Sequence, residues 1–141
     1  MSRLKQLRDD VRTAVAALSA VTARSITPVA AWSPPERAVE EVAAGGEIWV
    51  VPSQRETVVV SRAGATEIKT IDVAIFEQLG DDYNAVIEQN EALADAILDG
   101  MVTQKAGSQV CIEGNQLTPF DVAKYREKRL FVTVLQLRFR G

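Results

Sequence analysis

Residues 129–140 read Arg-Leu-Phe-Val-Thr-Val-Leu-Gln-Leu-Arg-Phe-Arg, and they contain the clearest strand pattern of the chain. Its alternate residues on one side are Phe131, Thr133, Leu135, Leu137 and Phe139. A period of two that is rich in β-branched and aromatic residues is typical of a β-strand. Because arginine appears within it only towards the exit, we predict the central strand of a sheet, with one face covered by helices.

Composition predicts one globular domain spanning residues 1–141. The 141-residue chain is 47% hydrophobic and 25% charged, which is ordinary for a globular protein of one domain. No run approaches the roughly 20 apolar residues that span a membrane. The charged N-terminus lacks the apolar core of a signal peptide. We expect a protein of the cytoplasm that makes no membrane contact.

Residue types exclude several classes of chemistry. The chain has no histidine and one cysteine, Cys111. Catalysis by Ser-His-Asp or Cys-His groups and histidine-containing metal sites are therefore ruled out. Cys111 has no histidine to serve as its base, so we interpret it as a buried bystander. Residues 43–46 lack the Gly-Lys-Ser/Thr ending of a phosphate loop. We expect no catalytic residue, no cofactor and no metal.

The order of elements predicts an α+β fold. Helices are expected at 2–20, 34–44 and 81–99, with one turn within 119–128, and strands at 26–32, 47–52, 57–61, 67–76 and 129–140. Pro52 is expected to stop a strand and Gly100 to stop a helix. Residues 103–119 are expected to form a loop or arm. The prediction is a mostly antiparallel sheet of four to five strands packed by two main helices on one face.

Charge is unevenly distributed along the chain. Residues 1–26 hold five basic and two acidic groups, residues 80–99 hold six acidic and no basic groups, and residues 121–141 hold six basic and two acidic groups. This polarity suits head-to-tail or ring-like self-association, although solvated helix faces share it. The acidic helix face lacks the partner motif of a cation site, so a solvated face is favoured.

Two charged groups of residues are the candidate subunit or partner interface. They are Glu88, Glu91 and Asp95 on the acidic helix, and Arg138 and Arg140 at the exit of the closing strand. The helix is a complement for these arginines, either within one chain or across a subunit boundary. Direct nucleic-acid readout by the basic C-terminal block is the weaker alternative, because its aromatic residues fall mostly on the core side of the alternation.

The layout resembles the tail-terminator, or tail-completion, proteins of long-tailed bacteriophages and related tail-like particles. The similarity rests on an N-terminal helix, on Trp32-Ser33-Pro34-Pro35, on Ile48-Trp49-Val50-Val51-Pro52, on a hairpin and an amphipathic helix, and on the closing strand Leu130–Arg140. It is one of layout across most of the chain. The resemblance implies a small α+β protein that forms a homohexameric ring and has no catalytic residues.

The resemblance also implies a place in the virion. Such a ring caps the tail tube, ends its polymerisation and joins the head-side connector or head-closure protein, while DNA passes through the lumen without being read. Assembly would take place in the host bacterial cytoplasm. Two alternatives stay open. One is another neck component, such as a head-closure or tube-connector protein, and the other is a small cytoplasmic ligand-binding domain or enzyme.

Overall fold

The computed structural model describes residues 3–33, 42–61, 64–80, 82–118 and 130–141. Three helices are present in these ranges: α1 (Arg3–Ala16), α2 (Ser19–Ala23) and α3 (Tyr83–Met101). Six strands accompany them: β1 (Val29–Ala30), β2 (Glu47–Ser61), β3 (Gly64–Gln78), β4 (Lys105–Ala106), β5 (Gln109–Thr118) and β6 (Leu130–Arg140). The predicted α+β class is confirmed.

The six strands form one sheet in the order β1-β2-β3-β6-β5-β4. Every pairing is antiparallel except that of β1 with β2. The sheet has more strands than the expected four to five because β4 and β5 lie in the segment predicted to be a loop, whereas the strands predicted at 47–52 and 57–61 are the single strand β2. β6 pairs with β3 on one side and β5 on the other, so the prediction that it is a central strand is confirmed.

The core lies between one face of the sheet and the helices. The predicted side of β6, from Phe131 to Phe139 at every second residue, is buried, whereas the intervening residues are half-buried. The buried side of β6 belongs to one hydrophobic core with Leu7, Val11 and Val15 of α1 and with the buried residues of α3. Burial of apolar side chains on this face at about 25 cal/mol per Å² is the main favourable term in folding.

The prediction that residues 103–119 form a loop or arm is wrong. This segment contains β4 and β5, and β5 pairs with β6 from Val110 to Thr118. Gly114, expected to mark a loop, instead lies under α3, where a Cβ would meet Leu98 and Val102 at 2.9 Å. Glycine is present because the helix and the strand approach each other closely there.

Pro52 does not stop the second strand, contrary to the prediction. It lies within β2, beside a register shift between Pro52 and Gln54. β1 pairs with β2 at Trp49 and Val50, so Pro52 lies where no described strand pairs with the outer edge of β2. A proline at such an edge position costs no ladder hydrogen bond. β2 and β3 form the predicted antiparallel hairpin.

Helix boundaries differ from the sequence prediction at several points. The first helix ends at Ala16, and α2 follows as a separate turn. Gly100 lies inside α3, where a Cβ would come 2.6 Å from Leu18, so it permits close packing and does not end the helix. The strand expected at 26–32 is only β1. Residues 42–44 are not helical, and the predicted helix at 34–41 and turn at 119–128 lie outside the described residues.

Candidate subunit and partner interface

The acidic face of α3 begins one turn after its cap. The Asp82 carboxylate accepts a hydrogen bond from the Ala85 backbone N–H at 3.3 Å and thereby fixes the start of the helix. Glu88 and Asp95 are exposed, and no ion pair joins either of them to another described residue. Tyr83, the first residue of α3, is 40% exposed. The face is solvated, as the sequence indicated.

Glu91 differs from its neighbours because it lies against the sheet. Its carboxylate accepts hydrogen bonds from Nε2 of Gln116 at 3.1 and 3.3 Å, and the same nitrogen donates to the Thr133 hydroxyl at 2.9 Å. Burial raises the pKa of Glu91, the bond from Gln116 opposes this, and the nearby Asp95 carboxylate raises it further. Glu91 therefore contributes to packing α3 on β5.

Arg138 is engaged within its own chain. Its guanidinium donates to Glu56 of β2 and to Glu113 of β5, both at 3.0 Å, and the side chain is 32% exposed. One arginine thus ties three strands together on the sheet face opposite α1 and α3. Arg140, two residues further along β6, is exposed. Of the two arginines, Arg140 has the more accessible charge.

The acidic helix and these arginines do not meet within one chain. α3 packs on the β6 face that carries Phe131 and Leu135, whereas Arg138 and Arg140 belong to the alternate set on the other face. Contact between these groups within one chain is therefore excluded, and contact across a subunit boundary stays a prediction.

The β2–β3 hairpin extends beyond the rest of the sheet. β6 pairs with β3 from Ile68 to Gln78 and no further, while β2 continues to pair with β3 as far as Ser61 and Gly64. Residues 57–61 and 64–67 therefore form a two-stranded projection, which we call the hairpin arm. The sequence did not predict this projection; the arm that it predicted, at 103–119, is part of the sheet.

Charged groups brace the base of the hairpin arm on both faces of the sheet. On the helix side, the Glu67 carboxylate pairs with Lys69 at 2.9 Å and with Arg3 of α1 at 3.5 Å. The hydrogen bond with Lys69 is the main reason that the pKa of Glu67 is lowered. On the opposite face, Glu56 pairs with Arg138. The arm therefore leaves the sheet from a fixed base.

A buried polar cluster went undetected in the sequence. Arg24, which follows α2, pairs with Glu77 of β3 and donates to the side chain of Asn90 at 2.7 Å. Asn90 is completely buried and donates to Glu77 and to the Val86 carbonyl, both at 2.8 Å. The one available signal is Asn90 itself, a polar residue on the apolar stripe of α3. The cluster fastens α2, β3 and α3 together.

Asp72 lies on the face of the sheet opposite the described helices. Its cross-strand partners there are Val51 and Gln136. Burial raises the pKa of Asp72, and hydrogen bonds from the Ser53 and Gln136 side chains oppose that effect. Its Oδ1 is enclosed and accepts no hydrogen bond. The position of this carboxylate is costly for the fold at neutral pH.

The described residues include a small cavity but no cluster of metal-binding side chains. No group of three or more acidic or cysteine side chains among them could hold a metal ion. A cavity of about 200 Å³ between α2 and α3 is lined by Ala20, Arg24, Gln89, Ala92 and Leu93, below the roughly 300–1,000 Å³ of ligand pockets. Cys111 is buried, as expected, and burial raises the pKa of its thiol. No described helix is long and apolar enough to cross a membrane.

Comparison with known proteins finds similarity among solved structures alone. No protein-family model and no curated protein matches the chain. Among solved structures, it is similar to a chain of a structure described as "Virion of native gene transfer agent (GTA) particle". The identity is 13%, the TM-score is 0.49, and the match covers 94% of this chain and 90% of that chain. The similarity is one of overall layout.

Proposed function

We propose that this chain is a structural protein of a phage-like virion that assembles into a ring of six copies, as the resemblance to tail-terminator proteins implies. The ring caps the end of the tail tube, ends tube polymerisation and joins the head-side connector or head-closure protein. DNA passes through the lumen without being read. The role is structural and involves no catalysis. The observation that carries this proposal is the hairpin arm.

The hairpin arm needs a partner because it has only two strands. A two-stranded hairpin is marginally stable by itself in water, and three strands or packing against a helix are needed for independent stability. Beyond Ile68, no described strand pairs with the arm as a third strand, and Arg3 of α1 reaches it only at Glu67, at its base. Yet its base is braced on both faces by Glu67 and Glu56. A fixed base and an unsupported end suit a segment that docks on another protein, and we assign the tail tube protein to it.

Charge supports the same role. The α3 face with Glu88 and Asp95 is acidic and exposed, and α3 contains no basic residue. Such a face repels phosphates, so DNA can pass a ring without adhering to it. A neck protein is required to let DNA through without holding it.

The test is electron microscopy of negatively stained protein combined with mass measurement. The protein is imaged alone and after mixing with purified tail tubes. Six-fold rings, or caps at tube ends that stop further growth, are the expected result. Rings that bind a head-side connector but ignore tube ends would indicate a different neck component. A monomer that ignores tubes and is stabilised by a nucleotide or metal would indicate a ligand-binding domain and would overturn the proposal.

A further inference from the structure

Charged side chains surround the base of the hairpin arm. β6 pairs with β3 up to Ile68, and one row of cross-strand partners crosses five strands at that level. Its members are Glu56, Ile68, Arg140, Val110 and Lys105. Partners in such a row share one face of a sheet, which here is the face opposite α1 and α3. Arg55, next to Glu56 along β2, lies on the helix side, so cations flank the arm on both faces.

Cations outnumber carboxylates at this level of the sheet. The described basic residues here are Arg3, Arg55, Lys69, Lys105, Arg138 and Arg140, and the acidic ones are Glu56, Glu67 and Glu113. Each of these carboxylates is already paired, Glu67 with Lys69 and Arg3, and the other two with Arg138. The part of α1 after Arg3 leaves the surplus of positive charge unchanged, because it adds Lys5, Arg8, Asp9 and Asp10.

The surplus resides on Arg55, Lys105 and Arg140, which we call the basic collar. All three side chains are exposed, and no ion pair joins any of them to another described residue. The pKa of Glu67 is lowered first by its hydrogen bond with Lys69, and the charge of Arg55 contributes, which places that arginine beside the base of the arm. Arg140 pairs with β3 at the last position before the arm, on the other face. The collar charges are therefore available to a partner that approaches the arm.

The collar fits an acidic protein surface better than a nucleic acid. A DNA duplex carries one phosphate charge per about 1.7 Å of its axis, so a duplex at the collar would also bring phosphates against Glu56 and Glu113. The side chains of those two residues are 41% and 45% exposed. A protein surface can present acidic groups opposite the cations alone. The adjacent arm also requires a third strand or a helix, and only a polypeptide supplies either.

We infer that the basic collar recognises an acidic surface on the protein that covers the hairpin arm. Carboxylates beside the docking site of the arm would pair with Arg55 on one face and with Arg140 and Lys105 on the other. Charges of this kind at the rim of an interface speed association and fix the orientation of the partners. This inference rests on the proposed function, in which that protein is the tail tube protein, and it specifies the chemistry of the tube surface.

Co-sedimentation with purified tail tubes measures the contribution of the collar. The collar variant combines Arg55→Gln, Lys105→Gln and Arg140→Gln. We expect it to bind tubes at least about tenfold more weakly at about 0.1 M salt, and we expect that difference to vanish at about 1 M salt, where the Debye length is about 3 Å. Arg55→Lys combined with Arg140→Lys keeps the charge and should bind like the wild type. Native mass spectrometry establishes that each variant forms the same oligomer as the wild type.

The matched control changes the net charge by the same amount at a distant place. It combines Ala17→Glu, Ser19→Glu and Ala23→Glu, all at exposed positions. Ala17 comes just after the end of α1 and is roughly 20 Å from Arg3 by helical rise. This control should bind tubes as tightly as the wild type does. If it loses binding as the collar variant does, the effect is one of net charge and the inference fails.

A short DNA duplex tests the other class of partner. Electrophoretic mobility shift compares the wild type with the collar variant at the same salt concentration. No difference between the two proteins is expected. Binding by the wild type that the collar variant loses would show that the collar holds nucleic acid, and this result would overturn the inference.

Photo-cross-linking identifies the opposing surface while the collar stays intact. Benzoylphenylalanine replaces Gln54, which is exposed beside Arg55, and the cross-link is formed in assembled particles. Mass spectrometry then identifies the attached peptide. We expect an acidic peptide of the tube protein. Reversal of its carboxylate to lysine should restore the binding that Arg55→Glu loses.

The outcomes separate this inference from the proposed function. A collar variant that caps tubes as the wild type does, or a cross-link to a neutral or basic surface, overturns the inference and leaves the proposed function intact. A cross-link to an acidic surface of another virion protein, with the same rescue by charge reversal, supports the inference and overturns the assignment of the arm to the tube. A wild type that neither binds tubes nor forms a cross-link in particles overturns both.

Discussion

Gly114 of β5 lies directly under Leu98 of α3, and a Cβ on the glycine would be 2.9 Å from the Leu98 Cδ2 atom. The Val102 Cγ2 atom would be equally near, and Leu137 of β6 would be at 3.3 Å. Three apolar side chains from two elements thus occupy the space that a side chain would need. The contact between α3 and the sheet depends on this glycine.

Gly114→Ala is therefore expected to destabilise the fold by about 1–3 kcal/mol, the usual cost of overpacking. The measurement is urea unfolding followed by circular dichroism. Gly80→Ala is the matched control, because a Cβ there meets nothing within 4 Å and the backbone has no positive φ. An unchanged stability for Gly114→Ala would mean that α3 can shift away from β5 without cost.

Breaking the buried polar cluster is expected to leave Glu77 without its charged partner. Arg24→Ala should cost about 3 kcal/mol, because a buried carboxylate that loses its ion pair is strongly unfavourable. The Glu77 side chain is only 8% exposed, and Gln89 and Asn90 also donate to it. Adding Glu77→Gln should recover much of the loss, since the amide carries no charge.

The control for this cluster is Arg3→Ala. It removes the ion pair between Arg3 and Glu67, in which the arginine side chain is 77% exposed. Its cost should be below about 1 kcal/mol. Additive effects of Arg24→Ala and Glu77→Gln in a double-mutant cycle would contradict the assignment of Glu77 as the group left unpaired.

Asp72 makes stability depend on pH in a direction opposite to that of most carboxylates. Its pKa is raised in the folded state, mainly by burial, so folding favours the protonated form. Ionisation of Asp72 lowers the free energy of unfolding. This loss of stability is absent below the unfolded pKa of about 4, grows as the pH rises through the folded pKa, and persists above it. Asp72→Asn should therefore stabilise the protein at pH 7 by up to about 1 kcal/mol, a modest figure because the site is only half-buried.

Urea unfolding of the wild type and Asp72→Asn between pH 3 and pH 8 measures this effect. The difference between the two proteins should shrink as the pH falls towards 3. Asp95→Asn, at an exposed position on α3, serves as the comparison. A wild type that is more stable than Asp72→Asn at pH 7 would show that the hydrogen bonds from Ser53 and Gln136 outweigh burial.

The sequence predicted the elements whose hydrophobic period is unbroken. In β6, Phe131 to Phe139 alternate without interruption, and the structure buries that side. In α3 the apolar stripe repeats over several turns, and the structure buries Leu93, Ala94 and Ile97 of this stripe. In both elements one face is buried along its whole length, and this imposes a regular apolar period that can be recognised in the sequence.

β5 escaped detection because its pattern is interrupted. Each bulge, at Ile112 and at Leu117, shifts the alternation by one residue, and Gly114 removes a side chain from the buried side. A period of two therefore never persists long enough to indicate a strand. The prediction that Pro52 ends the strand failed because Pro52 lies at an edge position of β2. A backbone N–H at that position would have no partner in the sheet, so proline loses no hydrogen bond there.

The candidate interface could be predicted only in part. Exposure of Glu88 and Asp95 follows from helical periodicity, but the pairing of Arg138 with Glu56 depends on strand register across 82 residues of sequence. The Arg24–Asn90 contact likewise joins residues 66 positions apart. Contacts of this kind are set by tertiary packing, so local patterns contain no signal for them.

Shortening the hairpin arm should separate binding to the tube from folding and from ring formation. Replacing residues 58–66 by Asn-Gly connects Thr57 directly to Glu67, which are cross-strand partners, through a two-residue turn suited to a hairpin. The braces at Glu56 and Glu67 remain, so stability should change by less than about 1 kcal/mol, as for a surface change. Deletion of residues 104–116, in contrast, removes most of β5 and should prevent folding. Rings that form normally but no longer cap tubes are the expected result in electron micrographs, and tube capping by the shortened protein would show that the arm is not the tube-binding segment.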